Sequence, residues 1–316
     1  MCATGVALLM LPLPRCEREQ LFEKRGISLF FNLKPDIEHE PDVLRKWTTA
    51  LDKFDAELVV MSVTAPRYMR KFKKAKFEVV STDPAQWDEV LYIISTYNHS
   101  KVVGFLNSDI LPGPRTAQFF TIMMMYYQNP SNAADGTQQY WHPWLMTASR
   151  YDLRGTYANM HTGGGTDIWL WNNVNGSTGL FSNIEVPKFY LSRPYFDLWT
   201  NFVAMKSGYR QVLDATTSIQ ILHRDHARKY STWDEETGIN MDAMWKHNKE
   251  QAFKPVCDDK KCYKYRRARG TVCEFDYLFM AGEDMDWKVV RRDNPQPNSL
   301  SHCLHRIPPL HVQGML

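Results

Sequence analysis

Through its first hundred residues the chain alternates short apolar runs with longer stretches whose apolar residues recur every three or four positions. Ile27 to Leu33 predicts a buried strand. A helix over Pro41 to Phe54 follows, with Leu44, Trp47, Leu51 and Phe54 at helical spacing, and then a second apolar run, Glu57 to Val63. Strand, helix, strand in one sheet implies parallel strands joined by a right-handed crossover. A short strand at Phe77 to Val80 precedes a helix from Pro84 to Tyr97, which carries Trp87, Val90, Leu91 and Ile94 on one face. The strand Lys101 to Leu106 then runs out into Asn107-Ser108-Asp109. That delivers an acidic tripeptide to the carboxyl end of a strand, where open α/β sheets bind their ligands. Downstream the pattern predicts a helix over Arg115 to Tyr127 and strands at Trp144 to Ser149, Thr166 to Trp171 and Ser218 to His223. A helix over Pro194 to Lys206 separates the last two. Beyond about residue 232 periodicity fades into a charged, Cys-containing tail. The expected division is an N-terminal segment 1–26, an α/β domain 27–232 and a C-terminal extension 233–316.

Composition narrows the classes. With 44% hydrophobic and 23% charged residues, the chain can build a substantial core and is not of the disordered kind. A net charge of +3 from 38 basic and 35 acidic residues is too balanced to make nucleic acid the principal partner. Gly5 to Leu13 is interrupted by Pro12 and is too short for a membrane helix. It reads as the remnant of a signal or anchor segment, and no membrane span is expected. Cys257, Cys262, Cys273 and Cys303 cluster in the tail. They suit either disulfides, in an oxidising compartment such as the secretory lumen (Golgi or ER) or outside the cell, or bound metal.

A nucleotide-binding α/β sheet meets phosphate with a glycine-rich loop or with a metal held by carboxylates. Neither GxGxxG after the first strand nor GxxxxGK[ST] anywhere is present. A hard cation, Mn²⁺ or Mg²⁺, is the natural substitute, stabilising the charge that builds on a departing diphosphate.

The setting Val102-Val103-Gly104-Phe105-Leu106-Asn107-Ser108-Asp109 resembles the DxD region of GT-A glycosyltransferases, with Asn107 where the first aspartate would stand. Further stretches fall in the order of a poorly characterised GT-A-like branch: Thr147 to Leu153, Gly165 to Trp171, Arg193 to Trp199, and Leu213 to Thr216 leading to His223-Arg224-Asp225-His226. The resemblance implies a Rossmann-like, mixed and mostly parallel sheet flanked by helices. It implies a sugar moved from a nucleoside-diphosphate sugar to a glycan, protein or small-molecule acceptor. In site residues it implies a donor site at Asn107, Ser108, Asp109, Arg150 and Asp167, a metal at Asp109 with His223 and His226, and a general base at Asp197. Each has a plainer reading. Asp197 suits the first turn of a helix, Asp167 a glycine-rich turn after Gly163 to Gly165, Arg150 a salt bridge, and the histidines ordinary hydrogen bonding. Trp169 and Trp171 suit the core. The substitution at Asn107 leaves open a second class, an inactive GT-A-like module that binds glycan or protein. The basic runs Arg67 to Lys76 and Lys260 to Arg269 read as solvated faces or polyanion patches.

Overall fold

Strand β1 (Arg25–Asn32) is buried on both faces from Ile27 to Phe31, the signature of a strand covered by helices on each side. The computed structural model describes residues 25–32, 40–65, 67–73, 75–82, 84–128, 143–161, 165–174, 176–191, 193–223, 233–234, 239–265, 271–282, 284–292 and 309–312. The N-terminal segment through residue 24 and the expected ligand His226 lie outside them.

In chain order the strands are β1, β2 (Ala56–Ser62), β3 (Ala75–Val79), β4 (Ser100–Asn107), β5 (Ile110–Leu111), β6 (Trp144–Ala148), β7 (Tyr151–Arg154), β8 (Tyr157–Met160), β9 (Ile168–Asn172), β10 (Gln211–Asp214), β11 (Leu222–His223), β12 (Trp233–Asp234), β13 (Ile239–Asn240), β14 (Val256–Cys257), β15 (Cys262–Tyr263), β16 (Tyr277–Ala281), β17 (Trp287–Arg291) and β18 (Leu310–His311). Nine form one sheet in the order β17-β16-β10-β6-β9-β4-β1-β2-β3. Pairing in it is parallel except where β9 meets β4 and β6 and where β17 meets β16. The fold is therefore mixed α/β with a mostly parallel sheet flanked by helices, as the alternation of periods predicts.

Aromatic contacts show how the faces are covered. On one, Trp47 of the helix Glu40–Ala50 meets Phe31 and also Phe120 of the helix Thr116–Gln128. On the other, Trp87 of the helix Trp87–Ser95 packs against Phe105, Trp169 and Phe196, the last from the helix Phe196–Ser207. Trp169 and Trp171 are core residues, their indole N–H groups donating to Asn201 Oδ1 and to the Thr178 carbonyl. Near the start of the strands a carboxylate is buried on purpose: Glu57 accepts from Ser28 (2.7 Å) and pairs with Lys76 (2.7 Å) and His99 (2.9 Å). Lys76 of the first basic run is thus engaged, while Arg70, Lys71 and Lys73 are exposed.

The expected strand Ser218 to His223 is corrected by the structure. Thr216–Ile219 is one helical turn, and only Leu222–His223 is extended, as β11. Beyond residue 232, β16 and β17 extend the main sheet by parallel pairing of β16 with β10. A disulfide joins Cys257 to Cys262 across β14 and β15, and Cys273 is disulfide-bonded as well.

Candidate functional site

A five-stranded sheet, β18-β8-β7-β11-β5, starts where the main strands stop. β4 ends at Asn107, turns through Ser108 and Asp109, and returns as β5, which pairs antiparallel with β11. β11 in turn pairs parallel with β7. Register sets Ile110, His223 and Asp152 side by side, so Asp109 is carried next to His223. Just after β5 the backbone passes close to Gln220: a Cβ at Gly113 would fall 1.6 Å from the Gln220 carbonyl oxygen. Because β9 runs against its neighbours, its beginning, not its end, reaches this rim. The Asn107 N–H donates to the Asp167 carbonyl (3.1 Å), and the Asp167 N–H to that of Ala148 (3.1 Å).

Five residues named from the sequence converge through side chains. Asn107 Nδ2 donates to Asp167 Oδ1 (2.8 Å), and Arg150 Nη1 donates to the same oxygen (3.1 Å). Asp109 Oδ2 lies 3.7 Å from His223 Nε2. The link between these pairs is Asp152, a residue missed in the sequence. Its Oδ1 accepts from Arg150 Nε (2.9 Å) and meets His223 Nδ1 (3.1 Å), and its Oδ2 meets His161 Nδ1 (2.7 Å). Burial pushes the Asp152 carboxyl up, but His161, His223 and Arg150 overcome it and hold the group far below the usual carboxylate range. An ionised carboxylate only accepts, so both imidazoles donate to it from Nδ1. Burial likewise opposes the charged form of His223, and Asp109 and Asp152 outweigh it, raising its pKa. The signal for Asp152 and His161 was the alternation Tyr151, Leu153 and Ala158, Met160 about the Gly155 turn, a hairpin whose register sets Asp152 opposite Asn159.

The donor set suits a cation in part. His223 Nε2 and Asp109 Oδ2 are closer than twice the roughly 2.1 Å at which such ions hold their ligands, so one ion can touch both. A carboxylate on the other ring nitrogen is the usual anchor of a metal-bound imidazole. Among the described residues no cluster of three or more His, Cys, Asp and Glu side chains is placed to hold a metal. Asp167 Oδ2 and Ser108 Oγ are buried without hydrogen-bond partners among the described residues, leaving acceptors for a polar ligand.

Asp197 belongs to the first turn of the helix Phe196–Ser207, and the structure brings it to Gly165 and Thr166. Burial pushes its carboxyl up to about 6, and the nearby Asp167 charge adds to this, against the backbone N–H groups of Leu198, Thr166 and Asp197 itself. The residue before the helix, Tyr195, has φ 87°, a conformation an L side chain adopts only under constraint.

No protein-family model matches this chain, and no curated protein sequence matches it. Its likenesses are to solved structures. One is the mannosyltransferase PcManGT from Pyrobaculum calidifontis in complex with GDP-Man and Mn²⁺, at 8% identity and TM-score 0.41, over 66% of this chain. The chain spans 59% of that enzyme's length. Another is the galactosyltransferase LgtC in complex with donor and acceptor sugar analogs, at 8% identity and TM-score 0.30, over 72% of this chain and 97% of that one. A third is a mycobacterial protein at 12% identity and TM-score 0.39, over 89% of each chain. Likeness this distant carries no argument about activity.

Proposed function

We propose that this chain is a metal-dependent glycosyltransferase of the GT-A type, moving a sugar from a nucleoside-diphosphate sugar to an acceptor hydroxyl. The observation that supports it best is Asp109 beside His223 Nε2 at the carboxyl end of β4, with Asp152 anchoring the histidine. Asp109 and His223, joined by His226, would hold Mn²⁺ or Mg²⁺, which when bound supplies positive charge to the departing diphosphate. Asn107, Ser108 and Asp167 offer the donor polar partners around that charge, and Arg150 fixes Asp167 and Asp152 relative to each other. Asp197 accepts the proton of the acceptor hydroxyl. A carboxyl titrating near 6 is ionised at neutral pH yet more basic than an ordinary aspartate, which suits a general base. The disulfides support a place in the secretory lumen or outside the cell.

The second reading, an inactive binding module, is favoured by one observation: Asn107 spends its amide on Asp167 instead of offering a carboxylate. Thermal unfolding against a panel of nucleoside-diphosphate sugars, with and without Mn²⁺, in the parent and in Asp109→Ala, tests the leading reading. A Mn²⁺-dependent rise with one donor, absent in Asp109→Ala, is expected. No rise with any donor in a folded protein refutes it, and donor binding without turnover on any acceptor moves the weight to the inactive module.

A further inference from the structure

The five-stranded sheet has two unlike faces. Along the hairpin of β7 and β8, Tyr151, Leu153, Ala158 and Met160 are buried, so Asp152, Arg154, Tyr157 and Asn159 stand on the opposite, outer face. His161 prolongs that face one residue past β8: its N–H donates to the Arg150 carbonyl (2.9 Å), and its ring is held by Asp152. β18 sets His311 opposite Tyr157, with the two ring centroids 5.2 Å apart. The inner end of the face is His223, in register with Asp152, so the surface begins at the rim and runs outward across β7, β8 and β18.

Charge on it is one-sided. Asp152 is the only carboxylate that β7, β8 and β18 contribute, and Arg150, His161 and His223 already hold it. Arg154 is exposed and has no ion-pair or hydrogen-bond partner among the described residues. The stretches 153–166 and 294–316, within which β8 and β18 fall, contain no aspartate or glutamate. The Tyr157 hydroxyl, directly across from Arg154, and the Asn159 amide are further donors beside that guanidinium. Donors gathered around an unpaired guanidinium suit an oxyanion, which accepts from them all. Tyr157, 52% exposed, adds an aromatic surface for the C–H face of a ring. From β7 to β18 is two strand spacings, roughly 10 Å, the scale of one or two sugar rings.

We infer that this face binds an anionic saccharide, with its carboxylate or sulfate on Arg154 and its ring on Tyr157. The use of that saccharide as the acceptor rests on the transferase reading. The face meets the rim at Asp152, and four residues beyond His161 stands Gly165, where an added Cβ would be 3.5 Å from Asp197 Oδ2. A hydroxyl oxygen of the saccharide then bonds to the anomeric carbon as the diphosphate leaves with the bonding pair, and the hydroxyl proton passes to Asp197.

Saturation-transfer NMR on the whole protein at low salt tests the binding, with methyl glucuronide, glucose 6-sulfate and methyl glucoside as probes and inorganic sulfate as competitor. At least one of the two acidic sugars should show transfer, and which one does separates carboxylate from sulfate. It should bind about tenfold more weakly in Arg154→Ala and in Tyr157→Ala, and methyl glucoside should bind the parent about tenfold more weakly than it does. Arg154→Ala removes an exposed side chain and should leave the unfolding temperature, and its rise with donor and Mn²⁺, as in the parent. No transfer from either acidic sugar, glucoside binding as tight as theirs, binding indifferent to both variants, or displacement by sulfate at equal concentration overturns the assignment. Acidic-sugar binding lost in Arg154→Ala, in a parent that shows no donor-induced rise, upholds the face and refutes the transferase reading alone.

Discussion

Asp197→Asn should separate stability from catalysis. The carboxyl titrates near 6 in the folded chain against an ordinary 3.8. Below pH 3.8 it is protonated in both folded and unfolded states and carries no penalty. Between 3.8 and 6 the unfolded chain has released this proton while the folded one retains it, so stability falls as pH rises, and above 6 the loss is complete. At about 1.4 kcal/mol per pH unit, the gap amounts to about 3 kcal/mol. An asparagine has the shape of the protonated acid and never ionises. Urea unfolding of parent and variant at pH 4 and at pH 7.5 measures the difference directly, and comparing the two proteins cancels every other titrating group. Part of the penalty is already present at pH 4, so the variant should gain about 2.4 kcal/mol on the parent between the two conditions while losing transferase turnover. Stability curves that stay parallel within about 1 kcal/mol refute the argument. Loss of turnover without any gain in stability would mean that the charge of Asp197 is already solvated.

Three other substitutions test separate parts of the account. Glu57→Ala removes the acceptor shared by Ser28, Lys76 and His99 and, since Lys76 and His99 can turn to water, should cost about 1 to 2 kcal/mol in urea unfolding. Burial raises the Glu57 pKa but those partners outweigh it and lower it, so this contribution should be present at neutral pH and fade as pH falls below the ordinary glutamate range. Gly113→Ala must push β5 and β11 apart, because its Cβ would stand 1.6 Å from the Gln220 oxygen. A loss of at least about 2 kcal/mol is expected by thermal unfolding, with weakened donor binding. Asp152→Asn leaves His223 and Arg150 without their shared carboxylate and should weaken Mn²⁺ binding by about 10- to 100-fold in a calorimetric titration, with the fold retained.

The sequence was most readable where burial was complete. β1, β2 and β4 are continuous apolar runs because helices cover both their faces, and no polar alternation interrupts them. Asn107 to Asp109 could be placed at a strand end from the run alone. It failed where elements are short or lie at an edge. Ile219, Ile221 and Leu222 are apolar in either conformation, so one helical turn followed by two extended residues looked like a single strand. β10 has four residues, and β16 and β17 keep half-exposed side chains that blur their period. In the site, Asp109, Arg150, Asp167 and His223 were each visible, but their junction at Asp152 exists only through the pairing of β7 with β11, a contact across 71 residues. Local pattern carries no record of such register.

The way β10 is covered also bears on shortening the chain. β16 lies along one side of β10, and β17 lies outside β16. Ending the chain at residue 232, where periodicity fades, would therefore strip two strands and bare the N–H and C=O row of β10 beside buried Val212 and Leu213. An unguarded apolar edge of that kind is a template for pairing with other chains. The chain beyond residue 232 thus covers that edge, and insoluble aggregate is the expected product of its removal.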